Sequence, residues 1–102
     1  MAITNVSQEN FEEEVLQAQQ KVLVDFNADW CGPCQMLGAI LEEFAQESDI
    51  KIASINIDEN EELAEKYEVS SIPCLIVFDK GVEKKRSVGL ISKNDLKKLV
   101  EE

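Results

Sequence analysis

Cys31-Gly32-Pro33-Cys34 stands where an apolar run, Val22-Leu23-Val24-Asp25-Phe26, gives way to a run with helical spacing. That junction constrains the fold more than any other feature of the chain. The first run is apolar almost throughout, the pattern of a strand covered on both faces, as in parallel sheets. The second sets Met36, Leu37, Ile40, Leu41, Phe44 and Ala45 on one helical stripe between Cys34 and Ser48. A buried strand that turns into an amphipathic helix belongs to an α/β architecture. It also holds Cys31 at the carboxyl end of the strand, where open α/β sheets place their sites.

The remaining elements extend this pattern. Ser7 is expected to cap a first helix carrying Phe11, Val15, Leu16 and Ala18. Ile50 to Ile57 alternates apolar and polar residues and reads as a strand, and Asn60 to Tyr67 as a short helix. Leu75 to Phe78 is a further strand. Asp79-Lys80-Gly81 then supplies turn chemistry, with Gly81 free to take positive φ, so Val82 to Val88 should return antiparallel as a hairpin arm. Ser92 caps a last helix with Leu96, Leu99 and Val100 inward. With a short first strand at Ile3, alternating elements followed by a terminal hairpin imply an α/β sandwich on a mixed sheet.

A length of 102 residues suits one domain, expected over residues 1–102, with its own core. A net charge of −11 argues against nucleic acid and against anionic membranes as partners. Glu12, Glu13 and Glu14, and later Glu59, Glu61 and Glu62, read as solvated helix faces. The start of the chain, Met1-Ala2-Ile3-Thr4-Asn5, has neither the basic segment nor the apolar stretch of a signal peptide. The longest apolar runs, such as Cys74 to Phe78, fall far short of the roughly 20 residues that cross a bilayer. A cytoplasmic protein is expected, and an odd count of 3 cysteines suits a reducing compartment better than a disulfide-built scaffold.

A thiol becomes a strong nucleophile only when it ionises, and the free N–H groups and dipole of a helix N-terminus favour the anion. Cys31 should occupy that position. Pro33 suits the first turn, where its missing N–H is not needed, and Gly32 lets a partner chain approach closely. Cys34, one turn in, should be more buried and less acidic. Cys31 then attacks a substrate disulfide, and Cys34 resolves the mixed disulfide by attacking Cys31. Competing readings are a structural Cys31–Cys34 bridge, half of a zinc site, and a chance pattern in a binding module. So small a loop removes little chain entropy, which weakens the first. The chain has 0 histidines and only Cys74 as a further thiol, which weakens the second, and no metal site is expected. Asp25, a carboxylate in an otherwise apolar strand, should be desolvated with its pKa raised.

Val24-Asp25-Phe26, Ala28-Asp29-Trp30-Cys31-Gly32-Pro33-Cys34, Ile55-Asn56-Ile57-Asp58, Ser71-Ile72-Pro73 and Val88-Gly89 together resemble the thioredoxin family in order and spacing. The likeness covers essentially the whole chain. It implies a central mixed β-sheet flanked by helices on both faces. It also implies protein disulfide reduction without a bound cofactor, on disulfide-containing protein substrates, with electrons from a separate thioredoxin reductase, by a monomer. Asp25 becomes, by resemblance, the proton acceptor for Cys34, through water. Pro73 falls where the family carries a cis-proline opposite the dithiol. The implied role of that segment is to present the Ile72 backbone to an extended substrate strand. Trp30, Ile72, Pro73, Gly89 and Leu90, beside Gly32 and Pro33, would form the docking patch. A non-catalytic clamp using the same surface is the alternative from another functional class.

Several positions depart from the family pattern. Ser54 stands where a lysine usually neighbours the buried acid, so Asp25 is expected to lack a close cationic partner. Asn27 replaces a frequent tryptophan and leaves Trp30 as the sole indole. Gln35 replaces a common lysine, removing a positive charge near Cys31. Ala39 replaces a kinking proline, so a bond from the Ala39 N–H to the Gln35 carbonyl and a reduced bend are expected. Cys74 replaces threonine beside the proline and is expected near the dithiol, either as a small buried residue or as a third redox thiol.

Overall fold

Strands β1 (Ile3–Asn5), β2 (Lys21–Asn27), β3 (Lys51–Asn56), β4 (Cys74–Asp79) and β5 (Val82–Val88) form one mixed sheet in the order β1-β3-β2-β4-β5. The structure, a computed structural model, describes residues 3–101. Met1, Ala2 and Glu102, which the expected domain includes, lie outside the described residues. β1 and β2 both run parallel to β3, β4 runs antiparallel to β2, and β5 returns antiparallel to β4. β2 is therefore flanked on both edges, which is why every residue from Val22 to Phe26 is buried.

Alternation along the strands builds two apolar layers. Val22, Val24 and Phe26 face Val15, Phe11 and Leu63, contributed by a five-residue helical turn (Glu12–Leu16), the segment before it, and α2 (Glu61–Lys66). Leu23, Ile52, Leu75 and Val77 face Leu37, Leu41 and Phe44 of α1 (Gly32–Ala45) and Leu96 of α3 (Lys93–Val100). Helices thus cover both faces of the sheet, as expected. Burying side chains such as Phe26 or Leu37 stabilises the fold by about 2 kcal/mol each. The rings of Phe11, Tyr67 and Phe78 close the first layer with centroids 5.5 to 5.8 Å apart. Because the side-chain period is two, Asp25, Asn27 and Ser54 point to the α1 layer, and Cys74 points to the other.

The β4–β5 turn places both Lys80 (φ 53°) and Gly81 (φ 84°) in the left-handed region, the geometry that matches hairpin twist. A Cβ on Gly81 would sit 2.6 Å from the Leu16 carbonyl oxygen, so glycine is needed there for close approach as well as for φ. α1 runs unbroken through Gly38 and Ala39. Ser92 caps α3, its hydroxyl accepting from the Asp95 N–H at 3.1 Å.

Three expectations need correction. Ser7 caps no helix: its N–H donates to Asn10 Oδ1 at 2.8 Å in a turn that precedes the short helical segment, so a local side-chain turn replaces the helix start. Met36 lies on the stripe by spacing but is 60% exposed, because it falls one residue off the Leu37, Leu41 and Phe44 positions that α1 turns to the sheet. Cys74 does not join the dithiol: it packs with Phe26 and Ile76 in the layer opposite α1.

Candidate active site

The site forms where β2 ends and α1 begins. Cys31 is the N-cap of α1, with extended backbone (φ −94°, ψ 108°), and its Sγ accepts from the Cys34 N–H at 3.2 Å. That bond places the sulfur where the first turn of α1 directs its unpaired donors. Cys31 and Cys34 are joined as a disulfide with Cα atoms 5.2 Å apart. Pro33 sits in the first turn and is exposed, as is Gly32. Both cysteines are buried in the disulfide, at 5% and 4% exposure. The two cysteines form one small cluster with Ala28, against which half-buried Ile57 and Ile72 pack.

The loop before β4 faces Cys31 from the other side. Ile72 and Pro73 are joined by a cis peptide bond, and the Ile72 carbonyl oxygen lies 4.0 Å from Cys31 Sγ. A disulfide sulfur carries no proton, so this is a contact and not a hydrogen bond. Ile72 is half-buried, whereas Pro73 is buried and exposes little of its ring. The Gly89 N–H donates to the Pro73 carbonyl at 2.8 Å, locking the two loops together. Gly89 needs its glycine for φ of +99°, since a Cβ there would meet only open space. Trp30 (70% exposed) and Leu90 (41%) are the large apolar side chains of this rim. The indole of Trp30 is tethered, its Nε1–H donating to Asp58 Oδ2 at 2.8 Å.

Asp25 is buried on the α1 side of β2. Burial pushes its pKa from 3.8 to about 6, and the Asn27 hydrogen bond opposes that rise. No lysine or arginine among the described residues pairs with it, as expected from Ser54. Asn27 Nδ2 donates to Asp25 Oδ2 at 3.2 Å, while Asp25 Oδ1 is buried with no hydrogen-bond partner. The same amide reaches the Ser54 hydroxyl at 2.9 Å and the Asp25 carbonyl at 3.1 Å. Asp25, Asn27, Cys34, Gln35 and Ser54 all line one cleft of about 360 Å³. Gln35 donates from Nε2 to the Asp29 carbonyl at 2.8 Å, pinning α1 to the loop before it.

The structure thus gathers Cys31, Cys34 and Ile72 into one cluster, ties Gly89 to Pro73, and sets Asp25 in a cleft with Cys34. Among the described residues no three His, Cys, Asp or Glu side chains group as metal ligands. Sequence reasoning missed Asp58 as the tether of Trp30 and Asn27 as the partner of Asp25. The first lay within the Ile55 to Asp58 run that carries the resemblance; the signal for the second was the two-residue strand period, which sets Asp25 and Asn27 on one face of β2.

Residues 2–102 match the family model described as Thioredoxin. The chain is 48% identical over 95 residues to the Thioredoxin of Rickettsia bellii, covering 91% of this chain and 90% of that protein. It is 53% identical over 96 residues to the Thioredoxin of Chlamydia pneumoniae, covering 93% and 92%. To the Thioredoxin of Pseudomonas aeruginosa it is 43% identical over 96 residues, covering 92% and 89%.

Proposed function

The chain belongs to the thioredoxin family, and from that premise we propose how its site residues divide the work. It is a protein disulfide reductase, a thiol–disulfide oxidoreductase that works by dithiol–disulfide exchange through Cys31-Gly32-Pro33-Cys34. The observation that carries the assignment of roles is Cys31 at the N-cap of α1, its sulfur on the Cys34 N–H and bonded to Cys34.

In the reduced protein the Cys31 thiolate is held by the N-terminus of α1 and attacks one sulfur of a substrate disulfide. The substrate S–S bond breaks and a mixed disulfide forms. Cys34 gives its proton to Asp25 and attacks Cys31 Sγ, releasing the second substrate sulfur as a thiolate. An acid with a pKa of about 6 accepts that proton more readily than an ordinary aspartate does. Trp30, Gly32, Pro33, Ile72, Pro73, Gly89 and Leu90 dock the substrate. The Ile72 carbonyl beside Cys31 Sγ supports backbone pairing with an extended segment, and exposed Trp30 and Leu90 support its side chains. Pro73, being buried, contributes through its backbone.

Two electrons return from a thioredoxin reductase, and no cofactor is bound by this chain. The protein acts as a monomer of one domain over residues 1–102. No helix among the described residues is long and apolar enough to cross a membrane, and a cytoplasmic setting would keep the dithiol reducible.

Cys34→Ser tests the roles. A lysate incubated with the reduced variant should yield mixed disulfides through Cys31 that dithiothreitol releases. A variant that accumulates none, while still associating with the same proteins, would establish the clamp instead.

A further inference from the structure

Asn27 and Ser54 both depart from the family pattern beside the buried acid, and the fold couples them. Asn27 stands two residues beyond Asp25 on the same face of β2, and Ser54 lies directly opposite Asp25 in the parallel β2–β3 register. The Asn27 amide has two hydrogens and three acceptors: Ser54 Oγ at 2.9 Å, the Asp25 carbonyl at 3.1 Å and Asp25 Oδ2 at 3.2 Å. The hold on the carboxylate is therefore shared and long. It leaves Oδ1 buried without a hydrogen-bond partner from the protein, and a buried carboxylate that the protein only partly hydrogen-bonds favours its protonated form.

We propose that Asn27 is a positioning residue for the exchange reaction: steadied by the Ser54 hydroxyl, its amide anchors Asp25 through Oδ2 and reserves Oδ1 as the atom that takes the Cys34 proton. The inference rests on the reading of Asp25 as the acceptor for Cys34. In the resolving step the proton passes from Cys34 Sγ to Asp25 Oδ1. The electron pair left on Cys34 forms the new bond to Cys31 Sγ, and the Cys31–substrate bond breaks with its pair on the departing substrate thiolate. The oxidant is the substrate disulfide itself. The titratable groups around Asp25 are Cys34 and Glu42 from α1, Asp29 from the loop after β2, and Cys74 on β4, whose thiol is raised partly by the Asp25 charge. Against Asp25, β3 contributes Ser54, and β1 contributes Ile3 and Asn5, none of which titrates.

The test is a carbon-detected NMR titration of the Asp25 carboxyl in the full chain and in Asn27→Ala, Ser54→Ala and the double variant. Losing a hydrogen bond to the charged form raises the pKa, so N27A should move the Asp25 midpoint up by about one pH unit. S54A should move it up by less, Ser54→Thr should titrate like the wild type, and the double variant should match N27A. The pH profile of mixed-disulfide resolution should shift with the carboxyl. An unmoved Asp25 midpoint in N27A, or additive effects of N27A and S54A, would overturn the inference. Should N27A fail to fold, S54A decides, and an unmoved midpoint there counts against it. Asp25→Asn separates the two readings: an unchanged resolution profile in D25N refutes Asp25 as acceptor. A changed profile in D25N with a static midpoint in N27A refutes only the role of Asn27.

Discussion

The indole Nε1–H of Trp30 donates to Asp58 Oδ2 across 2.8 Å, tying the residue before Cys31 to the turn that follows β3. A large exposed ring is thereby held in one orientation beside the dithiol, although it packs little surface of its own. Binding then loses less rotamer entropy than it would with a free side chain.

Asp58→Ala should free that ring. Because the chain has 1 tryptophan, its fluorescence anisotropy reports the ring alone and should fall. Reduction of a protein disulfide should slow several-fold. Stability should change by less than about 1 kcal/mol, since the partners are exposed. Unchanged anisotropy would show that the tether does not restrain the ring in solution.

Asp25 makes stability depend on pH with a sign opposite to that of a salt-bridged acid. Its folded pKa of about 6 exceeds the ordinary 3.8, so the folded state binds the proton more tightly than the unfolded chain does. Its contribution is complete below about pH 3.8 and is lost as pH rises through about 6. The displacement corresponds to about 3 kcal/mol of penalty on the alkaline side. Asp25→Asn should therefore raise urea-unfolding stability by about 2 to 3 kcal/mol at pH 8 and barely alter it at pH 3. An equal effect at both values would show that burial of the charge is not the cause.

Two glycines should respond to alanine in opposite directions. Gly81 has φ of 84°, and an added Cβ would meet the Leu16 carbonyl oxygen at 2.6 Å. Gly81→Ala should cost about 1 to 3 kcal/mol. Gly38 lies inside α1 with nothing within 4 Å of the new Cβ, so Gly38→Ala should stabilise by roughly 0.5 to 1 kcal/mol. Thermal denaturation of both variants checks the pair, and a destabilised G38A would point to a use of its space by the adjoining cleft.

Cys74 is 1% exposed, and burial pushes its thiol up from 9.0. It should stay unmodified when reduced, folded protein is treated with iodoacetamide at pH 8, while Cys31 is carbamidomethylated. It should react once the chain is unfolded. Peptide mass spectrometry distinguishes the sites, and labelling of Cys74 in the folded protein would restore it as a third redox thiol.

Much of the fold was legible because its signals are short-range. The unbroken apolar run of β2, the stripe of Leu37, Leu41 and Phe44, the Ser92 cap and the Lys80-Gly81 turn each report on a few neighbouring residues. They follow from backbone periodicity and local hydrogen bonding, and the Cys31-Gly32-Pro33-Cys34 junction followed from the same logic. The first helical segment departs from that logic, because Asn10 Oδ1 accepts the Ser7 N–H in a local turn before the helix.

Local patterns in the chain were enough for an α/β fold with a dithiol at a strand-to-helix junction and a buried acid behind it. Which residues stand beside which depended on the assembled sheet. Strand order and parallel register set Ser54 opposite Asp25, and the two-residue period turned Asn27 towards both and Cys74 away. The pairings of Ser54 with Asp25 and with Asn27 join residues distant in the chain. They are set by how the sheet assembles, which local patterns do not encode.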